Sequence, residues 1–216
     1  MSECDDKATL DEEKGLTEEA LPPLGIRHLL LFTTGIAVAL GIISPIVRIL
    51  APGPSVFASA MIFLVSIRLG LASTILGWTA ARAYLKKPLP IVEPGAKFAL
   101  ILSSVILILT ALTLIELGMY SLDFFLYEIP AIWILRLGAL GCFAVYGVKW
   151  INETPWRVVV IAQALGMAFC LFPISSAVGG AALIFAFMQD LQTKRSRHWT
   201  HYFGILLWVF SQFANV

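Results

Sequence analysis

The chain has 216 residues, of which 59% are hydrophobic and 13% charged, against about 45–50% and about 25% in ordinary soluble domains. That little charge cannot cover that much apolar surface in water, so an ordinary soluble fold is excluded. The net charge of +1 averages two unlike parts: residues 1–20 hold eight acids against Lys7 and Lys14, a net of −6, and the remainder holds 13 Lys and Arg against 6 acids, a net of +7.

The head, residues 1–24, is polar and closed by Pro22-Pro23. Thr9 followed by Glu12 is its only capping-box signal, and nothing in it would form a core, so it reads as a disordered solvated tail. The first apolar run follows an acidic stretch rather than a basic one, so it reads as a retained span and not as a secretory leader. No myristoylation start or prenylation end is visible.

Crossing about 30 Å of hydrocarbon takes about 20 apolar residues. Leu29–Val47 is the first candidate, flanked by Arg27-His28 and Arg48 and followed by Pro52-Gly53-Pro54. Ser55–Ala81 is the second, with Arg68 at its centre. A basic connection with Arg82, Lys86, Lys87 and Lys97 follows, punctuated by Pro88, Pro90 and Pro94-Gly95. The third candidate, Phe98–Ile115, ends at Glu116. The fourth runs from about Pro130 to Val148 with Arg136 inside it. The 32 residues of Val158–Gln189 would make a helix of about 48 Å, too long for one ordinary crossing. Pro173, Ser175-Ser176 and Gly179-Gly180 mark a break, giving two short passes, Trp156–Phe172 and Ile174–Gln189. Tyr202–Val216 is a short last pass. The fold class is therefore an all-α polytopic transmembrane bundle over residues 25–216, with seven passes, six if 158–189 is one kinked span, or five plus a hairpin if it is re-entrant.

The connections at 82–97, 149–157 and 190–201 carry four, two and three Lys or Arg; those at 48–54, 116–129 and around 173 carry one, none and none. The positive-inside rule then places the amino terminus in the cytoplasm of a bacterial-type membrane and the carboxyl terminus outside. Trp78, Tyr84, Trp150, Trp156, Trp199 and Tyr202 border the basic connections, and Tyr120, Phe124, Phe125, Tyr127 and Trp133 cluster at the opposite face, as interfacial belts would.

Charge within a span is costly, about 2.5–3.5 kcal/mol on insertion scales, and such residues face the bundle interior or a wet cavity. Arg68 sits at mid-span. Arg136 lies about 9 Å deep, within reach of Glu116. Arg68, Glu116 and Arg136 are thus the candidate site, a partly buried ionic cluster; the alternatives are a structural ion pair or arginines that snorkel to an interface. His198 and His201, at i,i+3, would share a helix face with Asp190 nearby, but beside Lys194, Arg195 and Arg197 they read as a solvated basic collar rather than a metal site. Ala37/Gly41, Ser73/Gly77, Ala162/Gly166/Cys170 and Ala177/Ala181 repeat at four-residue spacing, which lets helix backbones approach in lipid, and Gln163 offers an interhelical hydrogen bond. Cys142 and Cys170 read as small hydrophobes.

No protease, phosphate-loop or haem pattern is present, so no catalytic, cofactor or metal residue is assigned, and nucleic acid is not an expected partner. The expected partners are the bilayer and a second copy or another membrane protein. Three functions fit: a non-catalytic scaffold, assembly factor or complex subunit; a small-solute or lipid transporter or channel using Arg68 and the Pro173–Gly180 break; and a lipid-modifying membrane enzyme whose inner-face His and Arg hold a phosphate head group.

Overall fold

The structure is a computed structural model that describes residues 25–50, 56–87, 89, 91, 93–120, 129–169, 171–193, 197 and 199–213. The acidic head, His198 and Cys170 lie outside the described residues, as do Phe124, Phe125 and Tyr127. Described residues form seven α-helices and no strand: α1 (Ile26–Leu50), α2 (Val56–Tyr84), α3 (Pro94–Tyr120), α4 (Ile129–Trp150), α5 (Thr154–Phe169), α6 (Phe172–Gln192) and α7 (Trp199–Phe213). Four stretches, Ile62–Tyr84, Pro94–Glu116, Pro130–Trp150 and Pro173–Gln192, are long and apolar enough to cross a membrane, and Leu29–Pro45 and Thr154–Phe169 are shorter apolar helices. The chain is a helical bundle of membrane composition.

Prolines that look like breakers in the sequence open helices instead. Pro94 starts α3, and Pro130, Pro155 and Pro173 each stand second in their helices. A proline there costs no hydrogen bond, because the first amides of a helix have no partner within it. Two helices cover 158–189, as expected, and only the position of the break between them differs. One helix ends at Phe169 and the next starts at Phe172, and Ser175 through Gly180 lies inside α6 as unbroken helix. α5 and α6 are two separate helices packed on each other, so a single kinked span is ruled out and no broken helix lies at Pro173–Gly180.

Consecutive helices pack on one another, and α7 returns to lie against α3 and α2. That makes α3 the centre of the bundle. Its buried residues Phe98, Leu102, Val105 and Ile106 recur at helical spacing and meet Phe143 of α4, Trp156, Val159 and Val160 of α5, and Leu207 of α7. Outward-facing positions are large and apolar, among them Ile134, Leu135 and Leu137 of α4 and Ile184, Phe185 and Met188 of α6, as a lipid-facing surface requires.

Close backbone approach is set by glycines other than those expected. A Cβ on Gly70 would stand 2.5 Å from Ile36 Cα, and one on Gly35 would collide with Thr74 Oγ1 and lie 3.0 Å from the Gly70 carbonyl oxygen. Gly35 and Gly70 therefore seat α1 on α2. Gly95 and Gly204 do the same for α3 and α7, where a Cβ on Gly204 would stand 2.9 Å from the Gly95 carbonyl carbon. Gly41 and Gly77 have open space instead, and Ser73, Ala177 and Ala181 are exposed. Of the predicted small residues, Ala162 and Gly166 are buried.

Candidate functional site

Three cross-links gather the basic connections at one end of the bundle. The Lys97 ammonium donates to the Trp150 carbonyl at 3.1 Å, and Arg157 Nε donates to the Ile151 carbonyl at 2.6 Å. Two cations thus cap the carboxyl end of α4, where unpaired carbonyls and the helix dipole favour positive charge. Third, Arg197 joins α6 to the start of α5. Its Nε and Nη2 grip both Asp190 oxygens at 2.9 and 2.6 Å, and Nη2 also donates to the Glu153 oxygens at 2.9 and 3.0 Å. Burial alone would lower the Arg197 guanidinium, but its hydrogen bonds to Asp190 and Glu153 and their charges outweigh that and hold it above its ordinary value.

His201 is buried in the same region and is not part of a solvated collar. The Gly95 N–H donates to its Nδ1 at 3.3 Å, which assigns the lone pair to Nδ1 and the proton of the neutral ring to Nε2. The Glu93 carboxylate, 4.0 Å from Nδ1, stands beyond hydrogen-bond reach of that nitrogen. Trp156 meets the His201 ring edge-on at 5.0 Å and is fully buried. It is therefore a core residue rather than a member of an interfacial belt. Among the described residues no three metal-binding side chains converge, and the predicted His198–His201 pair lies partly outside them.

The residues expected to form an ionic cluster are placed as follows. Arg136 of α4 donates to the Glu116 carboxylate of α3 at 2.5 Å and to Thr113 Oγ1 at 3.0 Å, with its guanidinium 5.5 Å from the Trp133 ring. Arg68 is half-buried in α2, among buried Ser66, Ile67, Gly70, Leu71 and Ala72. In α5, α6 and α7 a second polar chain runs from Ser176 Oγ, which donates to Gln212 Oε1 at 2.7 Å, and on through Gln212 Nε2 to Gln163 Oε1. Gln163 thus makes the interhelical bond its sequence position suggested. Sequence reasoning missed Gln212 and Ser176, since two polar residues in separate apolar runs carry no signal that they will meet. Beside this chain, Gly179 makes room for Trp208, whose ring a Cβ there would approach at 3.0 Å.

A partly open apolar cavity lies between α1, α2, α3 and α7, lined by residues that include Phe32, Thr74, Trp78, Ala99, Trp199 and Phe203. Phe32 stacks on Phe203 at 4.2 Å, and Trp78 meets Trp199 edge-on at 5.5 Å. The Thr74 and Thr79 hydroxyls donate to carbonyls of their own helix, Gly70 and Ile75, each at 2.7 Å, so they offer the cavity methyl groups rather than donors. The arrangement suits hydrocarbon, and the described residues that line it include no acid, imidazole or thiol.

Comparison with protein-family models, with curated proteins and with solved structures gives no match to this chain.

Proposed function

We propose that this chain is a non-catalytic multi-pass component of a membrane assembly, a scaffold, assembly factor or subunit, with seven passes, its amino terminus in the cytoplasm and its carboxyl terminus outside. One observation carries the reading: the polar side chains that bond between helices or at helix ends serve the bundle itself. Arg197, Arg157 and Lys97 fasten helix ends. Arg136 is occupied by Glu116 and Thr113, and Gln163, Gln212 and Ser176 bind one another. None of these is aimed at the apolar cavity. Transport through a broken helix loses its main support because α6 is continuous across Gly179 and Gly180. Arg68 with the Glu116–Arg136 pair remains the proposed intramembrane ionic cluster, holding α2, α3 and α4 in register.

The test is native mass spectrometry of the protein extracted in mild detergent. The expected result is a species of defined stoichiometry heavier than the 23.6 kDa chain, containing either a second copy or a distinct membrane subunit. A population made only of monomers at every detergent concentration that preserves the fold would overturn it.

A further inference from the structure

We infer that the cavity between α1, α2, α3 and α7 is a binding site for an anionic glycerophospholipid of the leaflet at the basic end, with one acyl chain in the cavity and the phosphate on Arg82. This goes beyond the assembly reading and does not depend on it. The cavity walls are apolar, and the two threonine hydroxyls on its α2 side are turned back onto their own helix. A ligand that needs hydrogen bonds gains nothing from those two hydroxyls, while the apolar walls suit a hydrocarbon chain. Leu31 both lines the cavity and is exposed on α1, which offers a chain a sideways entry from the bilayer.

What selects the occupant is the charge at the mouth. Trp78 lines the cavity, and the Arg82 guanidinium stands 5.2 Å from its ring, one helical turn closer to the basic end. Lys86 and Lys87 come next, at the close of α2. Lys86 takes a left-handed φ of 53°, its N–H donates to the Ala83 carbonyl at 3.1 Å, and the Lys87 N–H donates to Arg82 at 2.9 Å. This is a Schellman cap, which fixes the backbone of both lysines at the end of α2 that carries Trp78 and Arg82. Hydrocarbon, indole and cation thus follow one another along α2 in the order in which acyl chain, glycerol and phosphate follow one another in a lipid. Basic residues at that level attract anionic head groups.

The experiment is native mass spectrometry of the full chain in mild detergent, titrated separately with phosphatidylglycerol and phosphatidylcholine of identical acyl chains. One saturable phosphatidylglycerol adduct is expected, bound at least about fivefold more tightly than phosphatidylcholine, the gain of about one basic contact. Arg82→Gln should remove about that fivefold preference and leave phosphatidylcholine binding unchanged. Leu31→Trp, a change on an exposed position that closes the entrance, should weaken both lipids roughly tenfold, equivalent to the burial of about two methylenes. Equal binding of the two lipids by the parent chain overturns the proposal, as does Leu31→Trp binding like the parent. Should Leu31→Trp fail to fold, phosphatidylglycerol brominated in its acyl chains decides on the parent protein. Saturable quenching of tryptophan emission at one lipid per chain supports the site, and absence of quenching ends it. Conversion of the added lipid to a product of new mass would overturn the non-catalytic reading while supporting the site.

Discussion

Arg197 stands with its side chain 5% exposed between two carboxylates, Asp190 at 14% and Glu153 at 29%. An exposed pair contributes little, about 0–1 kcal/mol, whereas a buried charge deprived of its partner costs about 3–5 kcal/mol. This site is intermediate, because water still reaches Glu153. Arg197→Ala should therefore lower stability by about 2 kcal/mol, and Arg197→Lys should recover only part of it, because an ammonium cannot grip both Asp190 oxygens in a plane. The raised guanidinium gives the pH dependence its sign. Its contribution is fully present below the ordinary arginine value and is lost only as pH climbs through the still higher folded value. The gap between parent and Arg197→Ala should then stay constant from about pH 6 to about pH 9, measured as thermal unfolding midpoints in detergent. A gap that closes within that window would show that another titrating group supplies the stability. At this scale the sequence was only partly legible. Glu116 and Arg136 could be paired because each sits near the same end of its span, and depth in the bilayer is readable from position. Arg197 looked like an orientation signal alone, since Glu153 lies 44 residues away and no local pattern announces the contact. His201 is illegible for the same reason: its neighbours in sequence are charged, but its neighbours in space are Trp156 and Gly95.

Helix pairs depend on where the backbone lacks a side chain. Without a hydrophobic drive between helices in lipid, association rests on close packing and on hydrogen bonds. Gly70 and Gly77 share a face-spacing of seven residues on α2 but differ in surroundings. A methyl group on Gly70 meets the Ile36 backbone at 2.5 Å, while one on Gly77 meets nothing within 4 Å. Gly70→Ala should cost about 1–3 kcal/mol by forcing α1 away from α2. Gly77→Ala should be neutral or should stabilise by up to about 1 kcal/mol, through better helix propensity alone. Unfolding midpoints of the two variants in the same detergent check this, and similar destabilisation by both would refute the packing argument. Each helix was legible in outline, because a bilayer demands long apolar segments and every connection is marked by charge, proline or glycine. The helix ends were less so. Pro94 and Pro173 read as interruptions in the sequence but are first-turn residues, which shifts the α5–α6 step a few residues from where the sequence puts it. Which small residues form seams was not readable at all: the four-residue spacing of Ala37 and Gly41 is as regular as any other, yet contact is made at Gly35.

Across the whole molecule, the basic connections prove to be neighbours. Trp78 near the end of α2 packs on Trp199 at the start of α7, Gly95 at the start of α3 donates to His201 of α7, and Arg197 binds Glu153 just before α5. The ends of α2, α4 and α6 and the starts of α3, α5 and α7 are therefore at one end of the bundle, as the distribution of Lys and Arg had suggested. This common end narrows the topology question. The 16 residues of α5 reach about 24 Å, less than the roughly 30 Å of a hydrocarbon core. Whether α5 crosses fully or enters and turns back, the bundle brings the connection around residue 193 back to the end that holds the 82–97 connection. Reporter fusions follow from that geometry combined with the positive-inside rule. A fusion near 193 should report the cytoplasm, and one near 122 should report the opposite compartment. The fusion near 175 separates the two hairpin forms: opposite to 193 if α5 and α6 are complete passes, and inaccessible from both sides if they are re-entrant. Seven passes predict the first outcome. A fusion near 193 that shared its compartment with 122 would contradict the gathered basic end itself, because no membrane placement of this bundle puts Arg197 and Gly95 on opposite sides.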